Sequence, residues 1–170
     1  MKKRFDVGLF MGRFQPFHKG HLHALEFASS LCRHIVIGVG SSQEDGTASN
    51  PLPSEKRIRI IKAGIRKART VKADVRFMEV PDFRDNDLWF RYIMGKEPGI
   101  SVVFSRNRLV KSIFRRHGIT VISPEWHERK RLSGADIRKL IRSGMDWKER
   151  VPEGEVKTLS RYEGMIKRAR

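Results

Sequence analysis

Short apolar runs alternate with helix-periodic segments along this chain, and the alternation restricts its fold more than any other feature. Residues 6–10, 34–39, 75–80, 100–104 and 119–122 form such runs. Ile35-Val36-Ile37 has the unbroken apolar character of a strand buried on both faces. Between the runs, Leu22, Leu25, Ala28 and Leu31 recur at helical spacing and predict a helix over 21–31. Ile58, Ile61 and Ile65 do the same for 54–69, and Val110, Ile113 and Phe114 for 109–117. A short helix is expected over 86–94. Ser133-Gly134-Ala135-Asp136 reads as a helix start ahead of Ile137, Leu140 and Ile141. Strand–helix alternation of this kind predicts a doubly wound α/β parallel sheet flanked by helices. A polar loop spans 40–53. From 152 onward the chain is basic with a weak helical pattern, so the expectation is one domain with a core over 4–147 and a small, basic C-terminal helical tail over 152–170.

In this Rossmann-like architecture ligands bind beyond the carboxyl ends of the strands. The end of the first strand carries Gly12-Arg13-Phe14-Gln15-Pro16-Phe17-His18-Lys19-Gly20-His21. Unpaired N–H groups and the positive dipole end of a helix meet there, which suits a phosphate. His18 and His21 are spaced to share one helix face, so both rings can reach one anion, and Gly20 lets the backbone approach closely. A metal reading of the pair lacks a third ligand. His23 lies off that face and reads as structural. Ser133 to Arg138 supplies a second helix mouth. Phosphoryl-type transfer needs in-line positioning and charge stabilisation more than covalent chemistry, and two such mouths provide both.

Charge is the compositional feature that needs an account. Lys and Arg number 36 against 19 Asp and Glu, a formal net charge of +17 in 170 residues. This calls for a polyanionic partner. The basic residues are scattered rather than gathered in a stripe, and neither an aromatic RNA-recognition motif nor zinc-finger spacing is present, which argues against nucleic acid as the main partner. Polyphosphate substrates account for part of the excess. No apolar run is long enough to span a membrane, and the run after the basic N-terminus is too short for a signal peptide. Cys32 is the single cysteine, which excludes an internal disulfide and predicts a core role. A cytoplasmic protein is expected.

The string from Gly12 to His21 contains a His-x-Gly-His signature and resembles the nucleotidyltransferase superfamily, most closely the archaeal-type nicotinamide-nucleotide adenylyltransferases. Ser133 to Arg138 is similar to that family's C-terminal Ser-x-x-x-x-Arg signature. Gly40-Ser41-Ser42-Gln43, Asn50-Pro51 with Arg57, the spacing Asp82, Asn86, Trp89, and Ser105-Arg106-Asn107 resemble further family segments in the same order. The resemblance implies transfer of AMP from ATP to nicotinamide mononucleotide, giving NAD and pyrophosphate. It implies His18, His21, Arg13 and Arg138 as catalytic residues. ATP would be bound by Gly12, Phe14, Gln15, Gly20, Arg57, Asn107, Arg129 and Ser133. Ser41, Gln43, Asp82, Asn86 and Trp89 would bind the mononucleotide, and an indole face suits a flat cationic ring. Mg2+ would enter with ATP, held by phosphate oxygens and water. A homo-oligomer, a hexamer in the family, is implied as well. Three positions depart from the family pattern: Lys56 for glutamate, Arg106 for glycine and Arg108 for proline. Arg106 predicts a strained backbone or a crowded adenine pocket. Other acceptors (nicotinate mononucleotide, FMN, phosphopantetheine, glycerol phosphate) and a non-catalytic nucleic-acid-binding role remain as alternatives.

Overall fold

The computed structural model describes residues 3–125 and 131–170. Five parallel strands form one sheet in the order β3-β2-β1-β4-β5. They are β1 (Phe5–Gly12), β2 (Cys32–Gly40), β3 (Asp74–Val80), β4 (Ile100–Phe104) and β5 (Thr120–Ile122). Helices α1 (Lys19–Leu31), α2 (Ser54–Ala68), α3 (Asn86–Lys96), α4 (Arg108–Arg116), α5 (Gly134–Arg142), α6 (Glu153–Ser160) and α7 (Glu163–Arg168) complete the described elements, with a 3-10 turn at Lys148–Arg150. The doubly wound α/β architecture read from the alternation is the one observed, and each element lies within a few residues of its predicted span.

Period-two alternation sends successive strand residues to opposite faces. Ile35, Ile37, Val39, Val102 and Phe104 face Leu25 and Ala28 of α1, Ile60 and Ile61 of α2, and Ile137 and Ile141 of α5. Leu9, Val36, Met78 and Val103 face Ile93 of α3 and Phe114 of α4. Cys32 begins β2 in the first of these layers. Burial pushes its thiol up to about 11, so it packs and does not react at neutral pH.

Two expectations change. The core does not stop at 147: Val151, Leu159 and Ile166 are buried in the α1–α2 layer, and α6 lies along α2. The weak pattern there reflects a narrow apolar face set among Lys and Arg. On α2, Ile58 and Ile65 are only partly buried, whereas Arg57, Ile60, Ile61 and Gly64 are buried. Because α6 covers a second side of α2, the buried face is wider than a one-sided amphipathic pattern suggests.

The order 3-2-1-4-5 places the topological switch between β1 and β4, where crossovers run to opposite sides and a crevice opens at the strands' carboxyl ends. The candidate site lies in that crevice.

Candidate active site

The turn after β1 is held in one conformation by its own residues. Phe14 adopts a left-handed φ of 53°, costly for a bulky side chain. Its ring compensates by packing between Phe10 and Phe17, with both centroids at 5.8 Å. Gly12 is required beneath it, because a Cβ there would meet the Phe14 ring at 2.7 Å. Gln15 is buried and clamps the loop before α2: its Nε2 donates to the Leu52 carbonyl at 2.8 Å, and its Oε1 accepts from the Leu52 N–H at 3.1 Å.

His18 caps α1. Its Nδ1 accepts from the His21 backbone N–H at 3.3 Å, which leaves the ring proton on Nε2. The two imidazoles stack with centroids 3.7 Å apart, and His21 rests edge-on against Phe14 at 5.0 Å. Burial lowers the His18 pKa to about 4. Burial, and then repulsion from His18, hold His21 well below the ordinary histidine value. Both rings are therefore neutral at physiological pH and offer N–H donors without charge.

Two clefts open on this crevice. One, of about 390 Å³, is lined by Phe14, Gln15, His18, Gly20, His21 and the start of α5 from Ser133 to Arg138. The other, of about 310 Å³, is lined by Gly12, Ser41, Asp82, Asn86 and Trp89. Met11, Arg13, Ser105 and Asn107 line both, so the clefts adjoin at the ends of β1 and β4. The mouth of α5 sits directly on the first turn: a Cβ at Gly134 would meet the Gln15 carbonyl oxygen at 2.8 Å. Ser133 caps that helix, its Oγ accepting from the Asp136 N–H at 3.1 Å and donating to the Asp136 carboxylate at 2.6 Å.

A pair of adjoining clefts beside a histidine pair and a capped helix mouth is the layout expected of a nucleotidyltransferase. The cytidylyltransferase-like family pattern matches residues 9–140. A nicotinamide-nucleotide adenylyltransferase of Thermococcus kodakarensis is 34% identical over 158 residues, covering 93% of this chain and 84% of that protein. The enzyme of the same name from Saccharolobus solfataricus is 34% identical over 157 residues, covering 92% and 91%. The chain belongs to the nicotinamide-nucleotide adenylyltransferase family. Its fold is shared by a bifunctional NMN adenylyltransferase/ADP ribose pyrophosphatase of Francisella tularensis complexed with AMP and a manganese ion, at a TM-score of 0.77 and 18% identity. The match covers 96% of this chain and 51% of that one, so the chain spans about half the length of the bifunctional protein.

Most of the residues to which the adenylyltransferase resemblance points come together here. Arg13 is exposed where the clefts meet. Arg138 lines the first cleft, with Nη1 donating to the Gln15 carbonyl at 2.7 Å and Nε to the Ala48 carbonyl at 3.1 Å. Burial, then Arg142 and Arg13, lower its pKa. Asn107 spends its carboxamide oxygen on capping α4, bonding the Leu109 and Val110 N–H groups at 2.9 and 3.2 Å. Ser41 turns at φ 47°. Gln43 is exposed and does not line the second cleft itself, but is bound to Asp82, which does, by two hydrogen bonds of 3.1 and 2.9 Å. Arg129 lies outside the described residues.

Arg57 requires a correction. It is fully buried and lines neither cleft. Its Nη1 donates to the Arg13 and Gly40 carbonyls at 2.9 and 2.7 Å, and its Nη2 to the Ser41 carbonyl at 3.0 Å. The resemblance implied an ATP-binding residue, but in this geometry Arg57 is the strut beneath both turns rather than a cleft-lining side chain. Helical periodicity hides this, because an arginine on a buried face looks like an interruption of the pattern. Burial lowers its pKa to about 10, and it remains charged at neutral pH.

Arg106 also differs from expectation. Its φ is not left-handed, and its Nη1 donates to the Pro124 carbonyl at 2.6 Å, so the predicted backbone strain is absent. Ser105 belongs to a segment that the resemblance picks out without giving it a role of its own, yet it lines both clefts and its Oγ accepts from the Asn107 N–H at 3.2 Å. Its position right after β4, at the switch point, is the signal that could have found it.

Proposed function

We propose that this protein is a cytoplasmic enzyme that transfers AMP from ATP to nicotinamide mononucleotide, forming NAD and releasing pyrophosphate. The observation that carries the reading is the adjoining of the two clefts at Arg13, one beside the histidine pair and one beside Trp89. In this reading ATP occupies the first cleft and the mononucleotide the second. An unprotonated 5′-phosphate oxygen of the mononucleotide attacks the α-phosphorus in line. The bond from that phosphorus to the bridging oxygen breaks, and its electron pair leaves with pyrophosphate. No general base is required, since the nucleophile carries no proton to remove.

The chain's own groups then act on charge and position. His18 directs its Nε2–H, and His21 a ring N–H, at the non-bridging oxygens as they gain charge. Arg13, Arg129 and Arg138 hold the triphosphate, assisted by Ser133 and the N–H groups opening α5. Gly12 and Gly20 admit the nucleotide to the backbone, Asn107 keeps a free amide for the adenosine, and Phe14 and Gln15 fix the turn. Asp82, Asn86 and Trp89 receive the mononucleotide, backed by Ser41 and Gln43. Among the described residues no three His, Cys, Asp or Glu side chains are grouped to hold a metal ion. Mg2+ entering with ATP takes phosphate oxygens and water as ligands. The subunits associate as a homo-oligomer, with the exposed Leu88 and Leu109 available for contact. Light scattering on the eluting protein measures the assembly, and a hexameric mass is expected.

The deciding experiment offers nicotinamide mononucleotide, nicotinate mononucleotide, FMN and phosphopantetheine in parallel with ATP and Mg2+, and separates the products by chromatography. NAD formed fastest from nicotinamide mononucleotide is expected. Faster use of another acceptor would reassign the Trp89 cleft, and no product from any of them would overturn the reading.

A further inference from the structure

Arg142 lies one helical turn beyond Arg138 on α5, and the two side chains share a partner. Arg138 Nε and Arg142 Nη2 both donate to the Ala48 carbonyl oxygen, at 3.1 and 2.8 Å. The loop bearing that carbonyl is itself tied down. The Ala48 N–H donates to the Arg170 carbonyl at 2.9 Å, and the Arg170 N–H to the Gly46 carbonyl at 3.3 Å. Arg142 Nε completes the circuit on the Ile166 carbonyl of α7, at 3.2 Å. Of these residues only Arg138 lines a cleft.

The arrangement gives Arg142 a task distinct from packing. It is exposed, yet its fork spans two carbonyls on two separate elements. Arg138 uses Nε and Nη1 on backbone carbonyls, so the direction of its remaining donors depends on where those carbonyls stand. Among the described residues, the Ala48 carbonyl takes one side-chain hydrogen bond from Arg138 and one from Arg142, so removing Arg142 halves that tether. A guanidinium so attached can swing with the loop, and alignment of a triphosphate tolerates little misplacement.

We propose that Arg142 is a positioning residue for the nucleoside triphosphate: by holding the Ala48 carbonyl between α5 and α7, it sets the direction in which Arg138 faces ATP. The inference rests on the functional reading above. A lysine cannot replace it fully, because a single ammonium lacks the planar fork that bridges two carbonyls.

The test compares the full chain with Arg142→Ala and Arg142→Lys in steady-state kinetics, varying each substrate in turn. Arg142→Ala is expected to raise KM for ATP about tenfold, leaving KM for the mononucleotide and the melting temperature unchanged. Arg142→Lys should fall between it and the wild type. An unchanged KM for ATP overturns the inference. So does an equal rise in both KM values, or a lowered melting temperature, since either marks a general structural role. If the wild type forms no dinucleotide, the functional reading fails on its own account, and calorimetric titration with a non-hydrolysable ATP analogue decides the matter. Binding about tenfold weaker in Arg142→Ala would sustain the inference, and equal binding would end it.

Discussion

His18 and Arg57 diverge although both are buried polar residues at helix starts beside the same crevice, one capping α1 and the other in the first turn of α2. His18 spends one nitrogen on the α1 cap and lines the first cleft, where the proposed function gives its Nε2–H to the transferring phosphate. Replacing it with asparagine, which can also cap, separates the two tasks. His18→Asn should lower turnover by about 10²-fold or more while its melting temperature stays near that of the wild type; full turnover would remove the ring from the mechanism. Arg57 spends its donors on three carbonyls. Arg57→Met leaves those carbonyls unpaired and should cost about 3 kcal/mol or more in chemical denaturation. A stable variant with weakened ATP binding would instead restore the direct phosphate role. The types and spacing of the histidine pair that lines the first cleft were legible in the residues themselves. Arg57's task was not, since nothing local to the sequence shows that the Arg13, Gly40 and Ser41 carbonyls converge on it.

Among the helices, α6 shows how a weakly patterned segment becomes part of the core. Gly154 lets it approach α2 so closely that a Cβ would meet the Ala63 carbonyl oxygen at 2.4 Å. That contact buries Glu155 completely, with neither carboxylate oxygen hydrogen-bonded among the described residues. Burial raises its pKa well above the ordinary 4.5. A carboxyl whose folded pKa is raised binds its proton more tightly in the folded state, so its contribution to stability is greatest below about pH 4.5 and declines as pH rises towards the folded value. Glu155→Gln removes that decline. Its melting temperature should exceed that of the wild type by more at pH 8 than at pH 5, read by scanning calorimetry; an equal difference at both would mean that Glu155 does not titrate in this range. The helices with a broad apolar stripe, α4 and α5, were legible because one face meets one layer. The helical character of the C-terminal segment was legible too, but its burial was not, because α6 packs on α2 and α7 on α5, both remote from it along the chain.

Across the whole molecule, the +17 charge exceeds what one polyphosphate site needs, and its basic residues are scattered along nearly every segment of the chain. Scattered basic residues attract nucleic acid without reading it. Binding to duplex DNA is expected at about 50 mM salt and should weaken at least about tenfold by about 200 mM, as filter binding would show. Retention at the higher salt would point to a built nucleic-acid surface. The alternation of strands and helices by itself determined the doubly wound sheet, because period-two and period-3.6 patterns are local and each commits its segment to one geometry. Two short motifs likewise determined the family, since each supplies its own turn, cap and donors. Only the tertiary structure decided that the two clefts adjoin at Arg13, that Arg57 lies beneath the site, and that α5 and α7 meet at the Ala48 loop. Those facts rest on contacts between segments far apart in the chain, which no local pattern encodes.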